Sequence, residues 1–170
     1  EETADIAVKF SLTGHLVFST VHANDAPGTI ARLLDLGIPP FLLGSSLNLI
    51  MAQRLVRTID SDNKEPYTPS DNELNQINMS KKDASNVKFF TGKPSSSNHN
   101  TGYKGRTAIH EILEVNSAMK NLIIDNATVT EVKKLAIENG MTPLRHAGIG
   151  KIKAGVTTIE EVLRATVEDI

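Results

Sequence analysis

Five histidines, at positions 15, 22, 99, 110 and 146, are the side chains of this 170-residue sequence first to be weighed as phosphate contacts or metal ligands. His15 and His22 flank the apolar run Leu16-Val17-Phe18-Ser19-Thr20-Val21, and His22 leads into the polar turn Ala23-Asn24-Asp25. A β-branched and aromatic run that follows a glycine, Gly14, predicts a buried strand. Ligands of open α/β sheets gather at the carboxyl ends of strands, where His22 and Asn24 would offer donors to a phosphate. The alternative is that each histidine only caps backbone groups at a strand end. The other three histidines are too scattered to suggest a metal cluster. The sequence holds no G-x-x-x-x-G-K-[ST] loop to cradle phosphates, no G-x-S-x-G, no H-E-x-x-H and no EF-hand loop. No catalytic constellation here is complete in itself.

The elements that must position these residues follow from period and caps. Glu2 to Leu12 is helix-compatible and is ended by Thr13-Gly14. Asp25 as N-cap and Pro27 in the first turn predict a helix bearing Ile30, Leu33 and Leu34, stopped by Gly37. Pro40 opens a second helix, expected to reach about Gln53, and Arg54-Leu55-Val56-Arg57-Thr58-Ile59 alternates as a strand with one buried face. There Arg54 and Arg57 are either strand-edge charge or ligand contacts. Residues 60–103 are rich in Asp, Asn, Ser, Lys and Pro and cannot build a large core alone; Ser70 and Asp71 cap a short helix through Leu74 and Ile77. Residues 104–170 read as helical, with starts at Ser117, Thr130 and Thr158, a helix ending at Gly155, and a capping box between Thr158 and Glu161. The last helix is expected to carry Val162, Leu163 and Val167.

Composition narrows the classes. Hydrophobic residues at 39% and charged residues at 22% fit a folded globular chain and exclude collagen-like or wholly disordered ones. Eighteen basic against twenty acidic residues leave no electrostatic footprint for nucleic acid. No run approaches the roughly 20 apolar residues of a membrane span. The sequence opens Glu1-Glu2-Thr3, without Met or a leader, and is expected to have been processed or cut from something longer. It has no cysteine, so thiolate metal sites and disulfides are impossible within it.

The run from Thr13 to Ala26 resembles the histidine box of type II secretion ATPases and type IV pilus extension ATPases. The resemblance continues through Ala31-Arg32-Leu33-Leu34-Asp35-Leu36-Gly37-Ile38, Gln53-Arg54-Leu55-Val56-Arg57 and Lys64-Glu65-Pro66-Tyr67. It resumes at Gly102-Tyr103-Lys104-Gly105-Arg106-Thr107 and at Thr157-Thr158-Ile159-Glu160-Glu161-Val162-Leu163-Arg164, in family order and spacing. It implies an α/β fold: the C-terminal portion of a RecA-like P-loop ATPase core, followed by a mainly helical C-terminal domain. Residues 1–59 would end the core and carry the histidine box, 60–103 would be a degenerate metal-binding-type insertion, and 104–170 the helical domain. In the family Glu2-Thr3-Ala4 follows the Walker B segment, so Walker A and Walker B would lie upstream. The resemblance makes His22 the γ-phosphate contact, with His15, Thr20, Asn24 and Arg54 as nucleotide-binding or supporting residues. For Arg106 it leaves a structural salt bridge or a catalytic role.

Many relatives hold a tetrahedral zinc in two C-x-x-C pairs. Aligned on the flanking motifs, those four positions are Asp60, Asn63, Ser95 and Asn98, which implies no zinc and a weakly anchored, mobile insertion. ATP and Mg²⁺ are the implied cofactors of the intact protein, and the fragment alone is expected to be inactive. The implied partners are further copies in a hexamer and the inner-membrane platform and cytoplasmic-membrane proteins of a secretion or pilus machine, with no nucleic acid. The implied location is cytoplasmic, peripheral to the inner membrane. Competing readings are a non-catalytic module docking on such a motor, and a fragment of a DNA-uptake motor.

Overall fold

A computed structural model describes residues 2–166; the expected place of Val167 on the last helix lies outside them. In chain order the elements are α1 (Glu2–Leu12), α2 (Ala26–Asp35), α3 (Pro40–Ser46), β1 (Leu49–Ile59), β2 (Lys64–Tyr67), α4 (Asp71–Gln76) and α5 (Lys81–Ala84). There follow β3 (Phe89–Gly92), β4 (Tyr103–Glu114), α6 (Ser117–Ile124), α7 (Val129–Glu138), α8 (Leu144–Lys153) and α9 (Ile159–Ala165). Single 3-10 turns sit at Ser61–Asn63 and Ser96–Asn98. The chain forms two compact units: the residues up to Ala52 with Glu111–Thr142, and Gln53–His110 with the residues from Pro143 onward. Among the described residues no helix is long and apolar enough to cross a membrane.

In the first unit α3 packs on α6 and α1, and α2 packs on α7. The caps that position α2 are those its sequence demands. Asp25 Oδ1 accepts the Gly28 N–H at 2.8 Å, Pro27 sits in the first turn, and Gly37 follows with φ +84°, a left-handed conformation open to glycine. Ile30 and Leu33 fill the buried face.

Three elements depart from the sequence expectation. Residues 15–23 form neither helix nor ladder. A strand exists through its pairing, and the two described sheets pair only β1 with β4 and β2 with β3. Leu16 and Phe18, expected inside, are 80% and 87% exposed. The helix from Pro40 stops at Ser46 rather than near Gln53, and β1 already begins at Leu49. From there Ile50, Ala52 and Val56 turn inward with half-buried Arg54, and Leu55 faces out. The stretch after residue 103, expected to be helical, opens with twelve residues of strand, in which Ile109, Glu111 and Leu113 are buried while His110, Ile112 and Glu114 are not.

In the second unit β2 and β3 pair antiparallel, Lys64 opposite Gly92 and Tyr67 opposite Phe89. The polar 60–103 segment contributes Leu74, Ile77, Met79 and Phe89, and its core is completed by Ile152, Ile159 and Val162 from α8 and α9. Ser70 and Glu73 close a reciprocal capping box on α4. Gly92 and Gly102 approach so closely that a Cβ on either would collide with the other's backbone. That contact closes the loop between β3 and β4.

Candidate functional site

A cavity of about 420 Å³ lies in the first unit. Its apolar floor includes Val8, Leu33, Leu43 and Ile50, and His22, Thr20, Ser19, Thr29 and Arg32 supply its polar lining. His22 and Thr20 both line this cavity, and both are exposed to solvent. His15 is not among the lining residues. Its Nδ1 lies 2.9 Å from Thr13 Oγ1 and its ring meets Phe10 edge-on at 5.5 Å, folded back on the end of α1. Asn24 is exposed in the turn before α2, and Arg54 belongs to the second unit, where its Nη1 donates to the Gln53 carbonyl at 3.1 Å.

Two residues beside this site went unremarked as functional candidates. Arg32 sits in the quoted Ala31-Arg32-Leu33-Leu34 run and lines the cavity with His22. Glu111, 1% exposed on β4, accepts the backbone N–H of Ala26 at 2.7 Å, at the first residue of α2. No local signal marks Glu111 as inward-facing: Ile109, Ile112 and Leu113 fall at helical spacing, and the alternation of buried and exposed residues over 109–114 is a property of the folded strand.

The four positions that the resemblance aligns with zinc cysteines lie together in the second unit. Asp60, 1% exposed, takes Asn63 Nδ2 at 2.7 Å and Asn98 Nδ2 at 2.9 Å on the same Oδ2, while its Oδ1 accepts the Asp62 N–H at 3.3 Å. Asn98 Oδ1 in turn accepts the N–H of Ser95 at 2.9 Å and of Gly102 at 3.1 Å. Ser95 Oγ lies 2.9 Å from Ser97 Oγ. One carboxylate and two amides already bonded to one another, with a hydroxyl paired to Ser97, make a poor donor set for Zn²⁺, and the bonded three make a good polar clasp. The hydrogen bonds from Asn98 and Asn63 hold the Asp60 carboxyl below its ordinary pKa. A depressed carboxyl stabilises the fold above its unfolded pKa and loses that contribution as pH falls through the folded value. Asn98→Ala is expected to release the clasp. Hydrogen exchange of the Ser95 and Gly102 amides should quicken at neutral pH, and acidification of the unaltered chain should lower their protection relative to the intrinsic exchange rate at each pH. Unchanged exchange would contradict the clasp.

A third buried carboxylate, Glu161 on α9, ties down β1. Its oxygens accept the Arg57 N–H at 2.8 Å, Arg57 Nη2 at 2.6 Å and Arg164 Nε and Nη2 at 3.0 Å each. The expected capping box is thus half formed: Thr158 Oγ1 takes the Glu161 N–H at 3.2 Å, while the Glu161 side chain is committed to the arginines. Arg57 also lies over the Tyr103 ring, 4.1 Å from its centroid. Arg57 is therefore a structural cation. Arg106, expected in a structural salt bridge or a catalytic role, is exposed and pairs with no acid among the described residues.

The sequence matches the family described as "Type II/IV secretion system protein" over residues 1–164. It is 46% identical to the type II secretion system ATPase E of Vibrio cholerae, over 98% of this chain and 33% of that protein. It is 43% identical to the type IV pilus assembly ATPase PilB of Myxococcus xanthus, over 99% of this chain and 30% of that protein. Its structure resembles the X-ray structure of the Legionella pneumophila ATPase DotB with a TM-score of 0.61 at 17% identity, covering 95% of this chain and 34% of that one. The fold is therefore α/β and ATPase-like, and the chain spans about a third of the length of the curated relatives it matches.

Proposed function

From a chain that belongs to the Type II/IV secretion system protein family, we propose that it supplies the C-terminal part of an oligomeric ATPase driving type II secretion or type IV pilus assembly. The observation that carries the reading is the family match along nearly the whole chain, at 43% and 46% identity to a pilus and a secretion ATPase. We place the intact protein in the cytoplasm against the inner membrane, as a hexamer acting on a membrane platform of the secretion or pilus machine.

His22 would meet the γ-phosphate of ATP from the cavity edge. An imidazole there positions and polarises the transferred group, in a reaction whose catalysis is mostly placement and charge stabilisation. His15 would act only through the local fold, by its contacts to Thr13 and Phe10. Thr20 and Asn24 would offer polar contacts beside His22, and Arg54 would serve a neighbouring subunit or the nucleotide. Among the described residues no three carboxylates or histidines converge to hold a metal. ATP and Mg²⁺ would be the cofactors of the intact protein, with the phosphate cradle supplied by a part of it outside these residues.

The test is turnover. In the full-length protein His22→Gln should lower kcat for ATP by about 10²-fold, the scale of one positioned polar group in the transition state. The 170-residue chain alone should show no Mg²⁺-dependent hydrolysis. Wild-type turnover in His22→Gln, or hydrolysis by the chain alone, would defeat the assignment.

A further inference from the structure

We infer that Glu111 is a positioning residue for His22, acting through the first turn of α2; this rests on reading His22 as the γ-phosphate contact. An α-helix begins with N–H groups that have no partner inside it. At α2 those of the helix's own first residues are accounted for, and the helical ladder begins at Thr29. Ala26 N–H goes to Glu111 Oε1, Pro27 has none, Gly28 N–H goes to Asp25 Oδ1, and Thr29 N–H reaches the Asp25 carbonyl at 3.2 Å. Two carboxylates thus occupy the positive end of the helix dipole. The Ala26 and Gly28 amides of this helix start are therefore already engaged, and its dipole already faces two carboxylates. A backbone contact to a phosphate in this stretch would come from the residues before it, 22–24.

Those residues have little freedom. Ala26 is fully buried, and its N–H is fixed by a short, charge-assisted bond inside the first unit. Only Ala23, Asn24 and Asp25 separate it from His22, and Asp25 is itself fixed as the N-cap. Glu111 lies on β4 between two buried apolar neighbours on the same face, Ile109 and Leu113. A leucine would cost far less to bury there than a carboxylate. What the carboxylate adds is a fixed distance from strand to helix start, and hence a fixed starting point for the histidine loop.

A double-mutant cycle in the full-length protein tests this, with kcat and KM for ATP measured separately and folding followed by circular dichroism. Glu111→Gln keeps the shape and one acceptor oxygen and should lower kcat about threefold; Glu111→Leu, which removes the acceptor, should lower it about tenfold, both at unchanged KM. Combined with His22→Gln, either should add no further loss, because each acts through the same imidazole. If Glu111→Leu does not fold, the Glu111→Gln cycle decides alone. Unchanged kcat in the Glu111 variants, or losses that add to that of His22→Gln, would overturn the inference while leaving the function intact. A His22→Gln protein with wild-type kcat would instead overturn the reading beneath it.

Discussion

Glu161→Gln should cost the chain about 3–5 kcal/mol of stability, the range for removing one partner from a buried ion pair. The side chain of Glu161 is 0% exposed and accepts four hydrogen bonds, three of them from guanidinium groups. Gln keeps the volume, but its amide nitrogen would face a guanidinium instead of accepting from it. The heads of Arg57 and Arg164 are 40% and 57% exposed, so both cations keep water when the acid is lost. That places the loss toward the lower end of the range. Because Gln keeps only one acceptor oxygen for the four donors, two of these bonds are lost and the hold on the end of β1 weakens. The expected result is a lower denaturant midpoint, with faster amide exchange at Arg57.

Acid should reproduce much of this effect. Burial alone would raise the Glu161 carboxyl, but hydrogen bonds from Arg164 and Arg57 outweigh it and hold its pKa at about 2, against an ordinary 4.5. The folded value is depressed, so the contribution is complete above about pH 5 and fades as pH falls through 4.5 toward 2. A shift of that size corresponds to about 3 kcal/mol before screening at the exposed arginine heads, and about 2 kcal/mol after it. Stability measured from pH 7 to pH 2 should fall less steeply in Glu161→Gln than in the parent chain. Parallel curves would refute the linkage.

The network explains why part of this molecule was legible in its sequence and part was not. Caps are local, so Asp25, Ser70 and Gly37 each worked where their types require, and α1 ran from Glu2 to Leu12 as its period predicts. The family motifs were equally readable, since they need only order and spacing. Pairing is not local. The run from His15 to His22 has the composition of a strand, but composition cannot supply a partner, and none runs beside it among the described residues. β4 was misread for the opposite reason. Glu111 at an inward position breaks the apolar alternation of Ile109 and Leu113, and what makes it tolerable is a helix start 85 residues away in sequence. The clasp at Asp60 is similar. The four positions could be picked out by alignment, yet that Asp60 would gather Asn63 and Asn98 into a bonded set depends on the closure of the loop that holds them.

The same dependence on distant partners governs Arg145, where the second large loss is expected. Its guanidinium is buried and bonded to three oxygens: Nε to Thr166 Oγ1 at 2.6 Å, Nη2 to the Thr166 carbonyl at 2.9 Å and Nη1 to the Gln76 carbonyl at 2.9 Å. None of these acceptors is a carboxylate. The cation is instead matched by two helix ends, because Gln76 is the last residue of α4 and Thr166 is the C-cap of α9, where unpaired carbonyls gather partial negative charge. One side chain of α8 therefore closes the C-termini of two other helices. Arg145→Met would fill the volume but orphan two carbonyls, at about 1–3 kcal/mol for each buried group left without a partner, for a total near 3 kcal/mol. Arg145→Lys keeps the charge but offers a point donor where a planar fork spans three acceptors, so it should recover less than half of the loss. Urea midpoints of the two variants, with amide exchange in α4 and α9 as the local readout, separate the outcomes. If Lys restored full stability, charge alone would be sufficient; if Met cost under about 1 kcal/mol, the helix ends would need no closure from Arg145.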